Sequence, residues 1–279
     1  MTSEAPFNIL VTGANGDIGR AVVALAISKG HCVFACLRDE LQQKNFVPNE
    51  RLRFLKMDLE NVESVRSAYR QLDVDLAAQP LNCVIHCAAI QSPSCVEFMD
   101  PAHLEQTLRV NTIGTMVVMQ EAFGRLRTSR GNLVIASSLW GLVSGPAVAP
   151  YAPSKWALEA LIHTARCETR GMGFHITTVN IGAVRSKMLD AHVVSVKQMV
   201  AGGSEQMRSL YGERFAKHIV AAKLLEPLAA TVVKVACTLL KIAAKQQPRT
   251  RYTLGIDAKV VRVISWLLPQ RVMDKILSG

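Results

Sequence analysis

The chain has 279 residues, of which 49% are apolar and 19% charged, so it can bury the core of one large domain and does not have the composition of a disordered protein. Its formal net charge is +10, yet aromatic residues make up only 5% and no nucleic-acid motif is present, so we do not expect DNA or RNA binding. The seven cysteines lack metal-ligand spacing and no secretory signal is visible, which predicts reduced thiols, no metal site and a cytoplasmic protein.

Apolar strands and helices alternate along the whole chain. The predicted strands cover residues 9–11, 31–39, 51–58, 81–89, 132–138, 175–182 and 251–255. The predicted helices cover residues 18–29, 62–72, 104–126 and 151–169. This alternation predicts an α/β fold with a doubly wound, mostly parallel seven-stranded sheet, helices on both faces, and a single domain over residues 1–279. Ligands of such sheets bind at the carboxyl ends of the strands.

A glycine-rich turn, "TGANGDIG", joins the first strand to the first helix. Gly13 and Gly16 allow the backbone to bend tightly and to approach a pyrophosphate, and Gly19 allows the helix to pack closely on the strand. The helix N-terminus adds N–H donors for phosphate oxygens. Because the turn directly follows an apolar strand, it predicts nucleotide binding.

The residues after the second strand bear on the choice of cofactor. Leu37 stands where an acid would accept from the ribose 2′-hydroxyl of NAD, and Arg38 follows it. A guanidinium suits a 2′-phosphate, which favours NADP(H) over NAD(H). The alternative is that Arg38 is a surface residue and Asp39 serves the ribose. Asp58, closing the third strand, is predicted either to accept from the adenine amino group or to cap the next helix.

The segment "YAPSK" places Tyr151 and Lys155 one helical turn apart on the same face of a helix. A nearby cation favours a phenolate and lowers the pKa of the phenol, so the pair predicts a proton shuttle for an alcohol or carbonyl oxygen. Ser138, at the end of the fifth strand, could hold that oxygen in line.

Over about residues 7–190 the sequence resembles the short-chain dehydrogenase/reductase family. "YAPSK" is similar to the YxxxK motif, Ser138 has the spacing of the family's catalytic serine, and "VNTIGT" resembles the segment whose Asn, here Asn111, kinks a helix and holds a water bound to the lysine. The resemblance implies a Rossmann-type fold and a tetrad of Asn111, Ser138, Tyr151 and Lys155. In that tetrad Tyr151 is the acid/base, and Lys155 lowers its pKa and binds the nicotinamide ribose.

The chain resembles the compact branch of the family, with some features of the extended branch. Asp17 replaces a glycine of the compact-branch turn, "HCAA" at residues 86–89 replaces NNAG, and Ile181 replaces a proline. We expect His86 and Cys87 to be packing or hydrogen-bonding groups rather than reactants. The residues predicted to contact the cofactor are Gly13, Asn15, Gly16, Asp17, Ile18, Arg38, Asp58, Leu59, Cys87, Ala88, Ala89, Tyr151, Lys155, Gly182, Val184 and Ser186.

Residues 188–225 are rich in apolar side chains and predict a substrate lid, with Gly202 and Gly203 as its hinge. The residues predicted to line the substrate pocket are Trp140, Leu142, Val143, Met188 and Leu189. Their apolar character predicts a hydrophobic alcohol or ketone, and the steroid- and retinol-oxidising relatives suggest a steroid-, retinoid- or lipid-like compound.

The tail, residues 256–279, combines apolar stripes with basic residues. It could lie on an anionic membrane surface, pack on the domain or close a dimer. The family resemblance implies a homodimer or homotetramer.

Two functions of different class are consistent with these patterns. One is an NADP(H)-dependent oxidoreductase acting on a hydrophobic alcohol or carbonyl compound, and the other is a nucleotide-bound sensor or scaffold with little turnover. The complete tetrad favours the enzyme, since a sensor has no need of all four residues.

Overall fold

The computed structural model describes residues 6–278, so residues 1–5 and 279, which the predicted domain includes, lie outside the described residues. The strands are β1 (Asn8–Thr12), β2 (Cys32–Leu37), β3 (Leu52–Lys56), β4 (Cys83–His86), β5 (Asn132–Ser138), β6 (His175–Ile181), β7 (Val184–Arg185), β8 (Ala230–Thr231) and β9 (Arg251–Leu254). Seven of them form one sheet in the order β3-β2-β1-β4-β5-β6-β9, and every neighbouring pair is parallel. The strand order reverses between β1 and β4, which makes the sheet doubly wound as predicted.

Ten α-helices connect or follow the strands in the described part of the chain. They are α1 (Asp17–Ser28), α2 (Val62–Leu76), α3 (Pro101–Leu108), α4 (Thr115–Ser129), α5 (Tyr151–Glu168), α6 (Lys187–Gly202), α7 (Glu205–Leu225), α8 (Val232–Ala243), α9 (Ile256–Leu267) and α10 (Gln270–Ser278). A π-helical turn, Arg109–Gly114, joins α3 to α4, and short 3₁₀ turns occupy Glu40–Asn45, Val96–Phe98, Leu139–Gly141 and Glu226–Leu228.

Each face of the sheet buries its own apolar core. Leu10 points to the face covered by α2, α4 and α5, where it joins Tyr69 and Leu158. The neighbouring residues of β1 point to the other face, where Val22 of α1 and Leu239 of α8 complete the core. Alternate residues of a strand point to opposite faces, so strands covered on both sides read as continuous apolar runs. The predicted Rossmann-type α/β fold is therefore confirmed.

Element boundaries differ from the sequence-based expectations where side chains bond to the local backbone. The helix predicted over 104–126 begins earlier, at Pro101, because the Asp100 side chain accepts from Ala102 N and proline suits the first helical position. Strand β3 ends at Lys56 rather than Asp58, whose carboxylate accepts from Glu60 N in a turn. Strands β7 and β8 form a separate parallel pair that we did not predict, because two residues are too few to show a periodic pattern.

The segment predicted as the lid forms two helices, α6 and α7, with a turn at Gly203 between them. These helices bury a small apolar cluster of their own against the loops that follow β4 and β5. Its fully buried members are Cys95, Ala147, Val196, Met207 and Phe215. The Tyr211 hydroxyl also donates to a Glu97 carboxylate oxygen at 2.6 Å. The apolar residues of the predicted lid therefore divide into two groups. Some pack in or against this cluster, while Met188, Val194 and Leu210 are exposed.

Within residues 6–278, no helix is both long enough and apolar enough to cross a membrane.

Candidate active site

Tyr151 and Lys155 lie in the first turns of α5 and are 7% and 2% exposed. The Lys155 ammonium is 5.5 Å from the centre of the Tyr151 ring. Ser138 ends β5 beside Tyr151, and its hydroxyl accepts from Trp140 N at 3.2 Å. The three side chains predicted to handle the substrate oxygen thus come together at the carboxyl end of the sheet.

The two ionisable groups of this cluster have shifted pKa values. Burial raises the pKa of Tyr151 to about 12, and the hydrogen bond from Ser138 acts in the opposite direction. Burial lowers the pKa of Lys155 to about 8, while the negative charge of Glu159 acts to raise it. The direction for Tyr151 is opposite to the lowering expected from the sequence, because the free-energy cost of burying a phenolate is the largest contribution to the shift.

Asn111 lies in the π-helical turn, so the predicted interruption of the helix is present at the predicted residue. Its side chain is held by the loop after β4 and by α5, because Nδ2 donates to Ile90 O at 2.9 Å and to Ser154 Oγ at 3.0 Å, and Oδ1 accepts from Ile90 N at 2.8 Å. Thr112 donates to Ser154 O at 2.9 Å. These bonds fix the turn against the helix turn that carries Lys155.

His86 links two hydroxyl groups beneath the site. Its Nε2 is 2.9 Å from Thr115 Oγ1 and its Nδ1 is 2.8 Å from Thr12 Oγ1. Thr115 donates its single proton to Asn111 O at 2.8 Å, so it must accept from His86 Nε2–H, and Thr12 then donates to Nδ1. Burial lowers the pKa of His86 to about 3. Within the described chain His86 is thus a neutral hydrogen-bonding group that connects β1 to the backbone of Asn111.

The glycine-rich turn is packed too closely for larger side chains at two positions. Gly13 has a φ of +62°, and a Cβ there would lie 2.6 Å from Ala88 Cα, in the loop after β4. A Cβ on Gly19 would lie 2.2 Å from Gly13 O. Gly16 is the N-cap of α1, and neighbouring Asn15 accepts from Asn45 at 2.8 Å. A bare backbone turn at a helix N-terminus fits the phosphates of a dinucleotide.

Asp17, the acidic departure from the family pattern, is directed away from the turn. Its Oδ2 accepts from Lys187 N at 2.7 Å, at the first residue of α6, and its Oδ1 is 3.2 Å from Arg20 Nη2. The carboxylate therefore ties α1 to the start of the predicted lid. A cavity of about 500 Å³ lies between these two helix ends, lined in part by Arg20, Arg185 and Ser186.

The charged residues after β2 and β3 differ in whether their side chains already bond to the local backbone. Arg38 is exposed, and within residues 6–278 its guanidinium makes no ion pair. The Asp39 carboxylate accepts from Leu41 N at 2.9 Å and caps the following 3₁₀ turn. Asn61 caps α2, so the alternative in which Asp58 caps that helix is wrong.

The loop after β6 is closed by the tail. Gly182 N donates to Leu254 O at 2.8 Å, and Ala183 N donates to Asp257 Oδ2 at 2.6 Å. A Cβ on Gly182 would lie 2.2 Å from Asp257 Oδ1, so the approach of α9 requires glycine here. No local sequence pattern predicts the bond between Ala183 and Asp257, which are 74 positions apart. Val184 lies in β7, and the Ser186 hydroxyl donates to its carbonyl at 3.2 Å.

The remaining predicted residues fall into a few groups. Trp140 and Leu142 are partly buried, and the Trp140 ring packs over Gly145. Val143 is buried, whereas Met188 is exposed and Leu189 lines the cavity beside Asp17. Ile18, Leu59, Cys87, Ala88 and Ala89 are buried or partly buried next to the glycine-rich turn or the end of β4, and a Cβ on Gly114 would lie 2.4 Å from Leu59 O.

Comparison with known proteins agrees with this geometry. A family model described as short chain dehydrogenase matches residues 8–195. The chain is 27% identical to a 3-amino-tetrahydro-pyrrolizinone reductase of Xenorhabdus hominickii, covering 90% of this chain and 88% of the relative. It is 24% identical to an NADPH-dependent 3-dehydrocapnine reductase of Ornithobacterium rhinotracheale, covering 96% and 94%.

The fold is also that of a solved short chain dehydrogenase from Burkholderia cenocepacia in complex with NADP, with a TM-score of 0.75, 19% identity and 99% coverage of both chains. Family members are oxidoreductases that bind a nicotinamide cofactor, and the residues of the glycine-rich turn fit such a group. The chain belongs to the short-chain dehydrogenase/reductase family.

Proposed function

We propose that this oxidoreductase is NADP(H)-dependent and interconverts a hydrophobic primary or secondary alcohol and its aldehyde or ketone. The observation that carries the proposal is the buried cluster in which the Ser138 hydroxyl lies beside Tyr151 and Lys155 lies one helical turn further along. A phenol and an alcohol hydroxyl that converge at the carboxyl end of the sheet can both bond to one substrate oxygen.

The chemistry of the cluster follows from its protonation. A pKa of about 12 keeps the Tyr151 phenol protonated at neutral pH, which suits a proton donor to an oxygen that gains negative charge during carbonyl reduction. Ser138 orients that oxygen, and the ammonium of Lys155 stabilises the phenolate that remains. A bound nicotinamide would exchange the hydride with the substrate carbon. Asn111 holds the turn behind Lys155 in place.

The preference for NADP(H) rests on Arg38. Its exposed guanidinium follows β2 and is free of ion pairs within the described chain, so it is available to a 2′-phosphate. Asp39, the residue that would favour NAD, has its carboxylate bonded to its own turn. One relative is described as NADPH-dependent, which agrees with this preference.

The substrate class rests on the apolar residues around the cluster. Trp140, Leu142 and Val143 follow Ser138, and Met188 and Leu189 begin the segment 188–225, which we propose as the lid of a single domain. Such a lining favours a steroid-, retinoid- or lipid-like compound over a sugar. The names of the two relatives describe chemically different substrates, so the proposed substrate class rests on these side chains.

Two further assignments concern partners. We propose that the protein is a cytoplasmic homodimer or homotetramer, as the family commonly oligomerises. We also propose that the tail binds an anionic membrane surface peripherally, without inserting across it. The tail helices carry exposed apolar residues next to lysines and arginines, the combination that binds such surfaces.

The decisive test combines Tyr151→Phe with two neighbouring serine variants. The screen covers steroids, retinoids, fatty alcohols and quinones. Each compound is tested with NADPH, NADP, NADH and NAD, and turnover is followed by the absorbance of the nicotinamide. On the best substrate, Tyr151→Phe should lower kcat by about 10² or more and leave NADPH binding nearly unchanged, because the ring remains and only the proton donor is lost.

Ser138→Ala should also lower kcat, whereas Ser137→Ala is the matched control. Ser137 is equally buried on the same strand, but its hydroxyl has no hydrogen-bond partner within the described residues. Turnover by Tyr151→Phe at the wild-type rate would refute the assignment. A wild-type protein that binds NADPH and turns over no compound would favour the sensor.

A further inference from the structure

A buried carboxylate continues the line of the catalytic side chains along α5. Tyr151, Lys155 and Glu159 are spaced four residues apart and therefore share one helix face. Glu159 is 7% exposed, and its two oxygens have different partners. Oε1 accepts from Asn180 Nδ2 at 2.6 Å, and Oε2 accepts from Arg251 Nη2 at 2.7 Å.

The partners of Glu159 lead back to the catalytic strand. Asn180 lies fully buried in β6, opposite Ser137, and its Nδ2 also donates to the carbonyl of Ser138 at 3.3 Å. One amide group therefore bridges the Glu159 carboxylate and the backbone of Ser138, the serine beside Tyr151. The turn after Ser138 covers the carboxylate, because a Cβ on Gly141 would lie 3.1 Å from Glu159 Cγ.

We propose that Glu159 is a positioning residue of the active site, which keeps Lys155 in its ammonium form and, through Asn180, holds the strand end that carries Ser138. The inference rests on the proposed function, since it assigns Glu159 to the support of that reaction. Glu159 touches neither substrate nor cofactor in this assignment.

The charges around Lys155 determine in which direction its pKa moves when Glu159 or Arg251 is replaced. Burial lowers the pKa of Lys155 to about 8, and among the groups that raise it the Glu159 carboxylate acts most strongly. The other titratable groups that interact with Lys155 or with Glu159 are Tyr151, His86, Cys87, Arg166 and Arg251. Of these, Arg251 partly neutralises the carboxylate. Removing the charge of Glu159 therefore makes Lys155 lose its proton at a lower pH, and removing the charge of Arg251 has the opposite effect.

A purely structural role makes a different prediction. An ion pair that only fastens α5 to β9 would, when broken, lower the stability of the protein without moving its pH profile. The position of the alkaline limb of the kcat profile thus separates the two roles.

The test compares Glu159→Gln, Arg251→Gln and the double variant, which carries both changes and so leaves neither partner of the Glu159–Arg251 ion pair without the other. We expect the alkaline limb of kcat to move about one pH unit lower in Glu159→Gln and in the double variant, so that the ratio of kcat at pH 8.5 to kcat at pH 6 is about sevenfold lower than in the wild type. In Arg251→Gln the limb should stay in place or move higher. Ser137→Ala, on the neighbouring strand, should keep the wild-type profile.

A second measurement does not depend on turnover. In protein labelled with ¹³C at lysine Cε, the Lys155 resonance, assigned by its loss in Lys155→Arg, should titrate at a lower pH in Glu159→Gln than in the wild type. An unchanged alkaline limb together with an unchanged Lys155 titration in a folded double variant would overturn the inference. Wild-type turnover in Tyr151→Phe would instead overturn the proposed function, and the Lys155 titration would still decide the role of Glu159.

Discussion

Neighbouring residues of this chain take different roles according to the bonds their side chains already make. Arg38 and Asp39 follow the same strand, yet the carboxylate caps the next turn while the guanidinium is exposed. Asp17 belongs to the turn predicted to contact the cofactor, and its carboxylate bonds to Lys187 N and Arg20. A residue type in a motif thus indicates a role only when the side chain is not already bonded elsewhere.

Arg38 should set the choice between the two cofactors. Replacing Arg38 with Ala removes the permanent cation available to a 2′-phosphate, so NADPH should bind about tenfold or more weakly while NADH binding changes little. Titration of each cofactor by the fluorescence of its dihydronicotinamide measures both dissociation constants. Asp39→Asn is the matched control at the neighbouring position. Equal losses for NADPH and NADH in Arg38→Ala would contradict the assignment.

At the scale of single residues, the sequence predicted what a short motif can encode. Tyr151 and Lys155 are joined by helical spacing, and Ser138 by its place at a strand end. Glu159, Asn180 and Arg251 come from α5, β6 and β9, so only the folded sheet brings them together. The raised pKa of Tyr151 could not be predicted from the sequence either, because it results from the burial of the phenol in the folded protein.

At the scale of elements, the last two helices have an unusual surface. Helices α9 and α10 bury Ala258 and Met273 against the rest of the protein but leave a wide apolar face open to solvent. The exposed apolar residues are Ile256, Val260, Val263, Trp266, Leu267, Val272 and Ile276, and Trp266 is 85% exposed. We call this set the tail face. Lys259, Arg262, Arg271 and Lys275 belong to the same helices and can meet anionic lipid headgroups.

Substitutions in the tail face should release the protein from anionic vesicles. We expect the double variant Val263→Ser with Trp266→Ala to lose most of its binding to phosphatidylserine-containing vesicles, because both side chains are exposed and their loss removes apolar area from the contact. Co-sedimentation measures the bound fraction. Truncation after Gly255 is a poorer design, since it also removes Asp257 from the loop after β6.

Val47→Ser is the control for this experiment, since Val47 is an equally exposed apolar residue in the loop before β3. Vesicle binding that persists in the tail-face variant would contradict membrane contact. A different result would assign the tail face to contact with a second copy of the chain. In that case the wild type does not bind vesicles, and the tail-face variant forms a smaller oligomer than the wild type.

At the scale of the whole molecule, one buried histidine makes folding sensitive to acid. The pKa of His86 is lowered by burial to about 3, whereas an unfolded histidine has a pKa near 6.5. The folded state therefore binds fewer protons, so this contribution to stability is complete above pH 6.5 and is lost as the pH falls toward 3. It amounts to about 5 kcal/mol at most.

His86→Gln should flatten this dependence. Glutamine keeps one donor and one acceptor but takes up no proton, so the free energy of unfolding should fall by about 1 kcal/mol less per pH unit between pH 6 and 4 than in the wild type. Urea unfolding at several pH values measures both slopes. His175→Gln, at the partly buried start of β6, makes the same substitution outside this network and is the control. Parallel curves for His86→Gln and the wild type would contradict the assignment.

The overall fold could be predicted because its signals are long and repeated. Seven apolar strands alternate with amphipathic helices, and each end of every strand in the main sheet lies within three residues of the predicted end. Helices α6 and α7 were recognised only as an apolar segment, since their apolar residues are divided between a local core and solvent. The β7–β8 pair and the contact of α9 with the loop after β6 depend on long-range packing that no local pattern records.

The bond from Ala183 N to Asp257 joins the loop after β6 to the first turn of α9. Because the other oxygen of that carboxylate presses against Gly182, α9 cannot be displaced without freeing the backbone beside the expected nicotinamide. A partner that binds α9 or α10 is therefore connected, through Asp257, to the loop beside the active site. We expect the catalytic rate to change when such a partner binds.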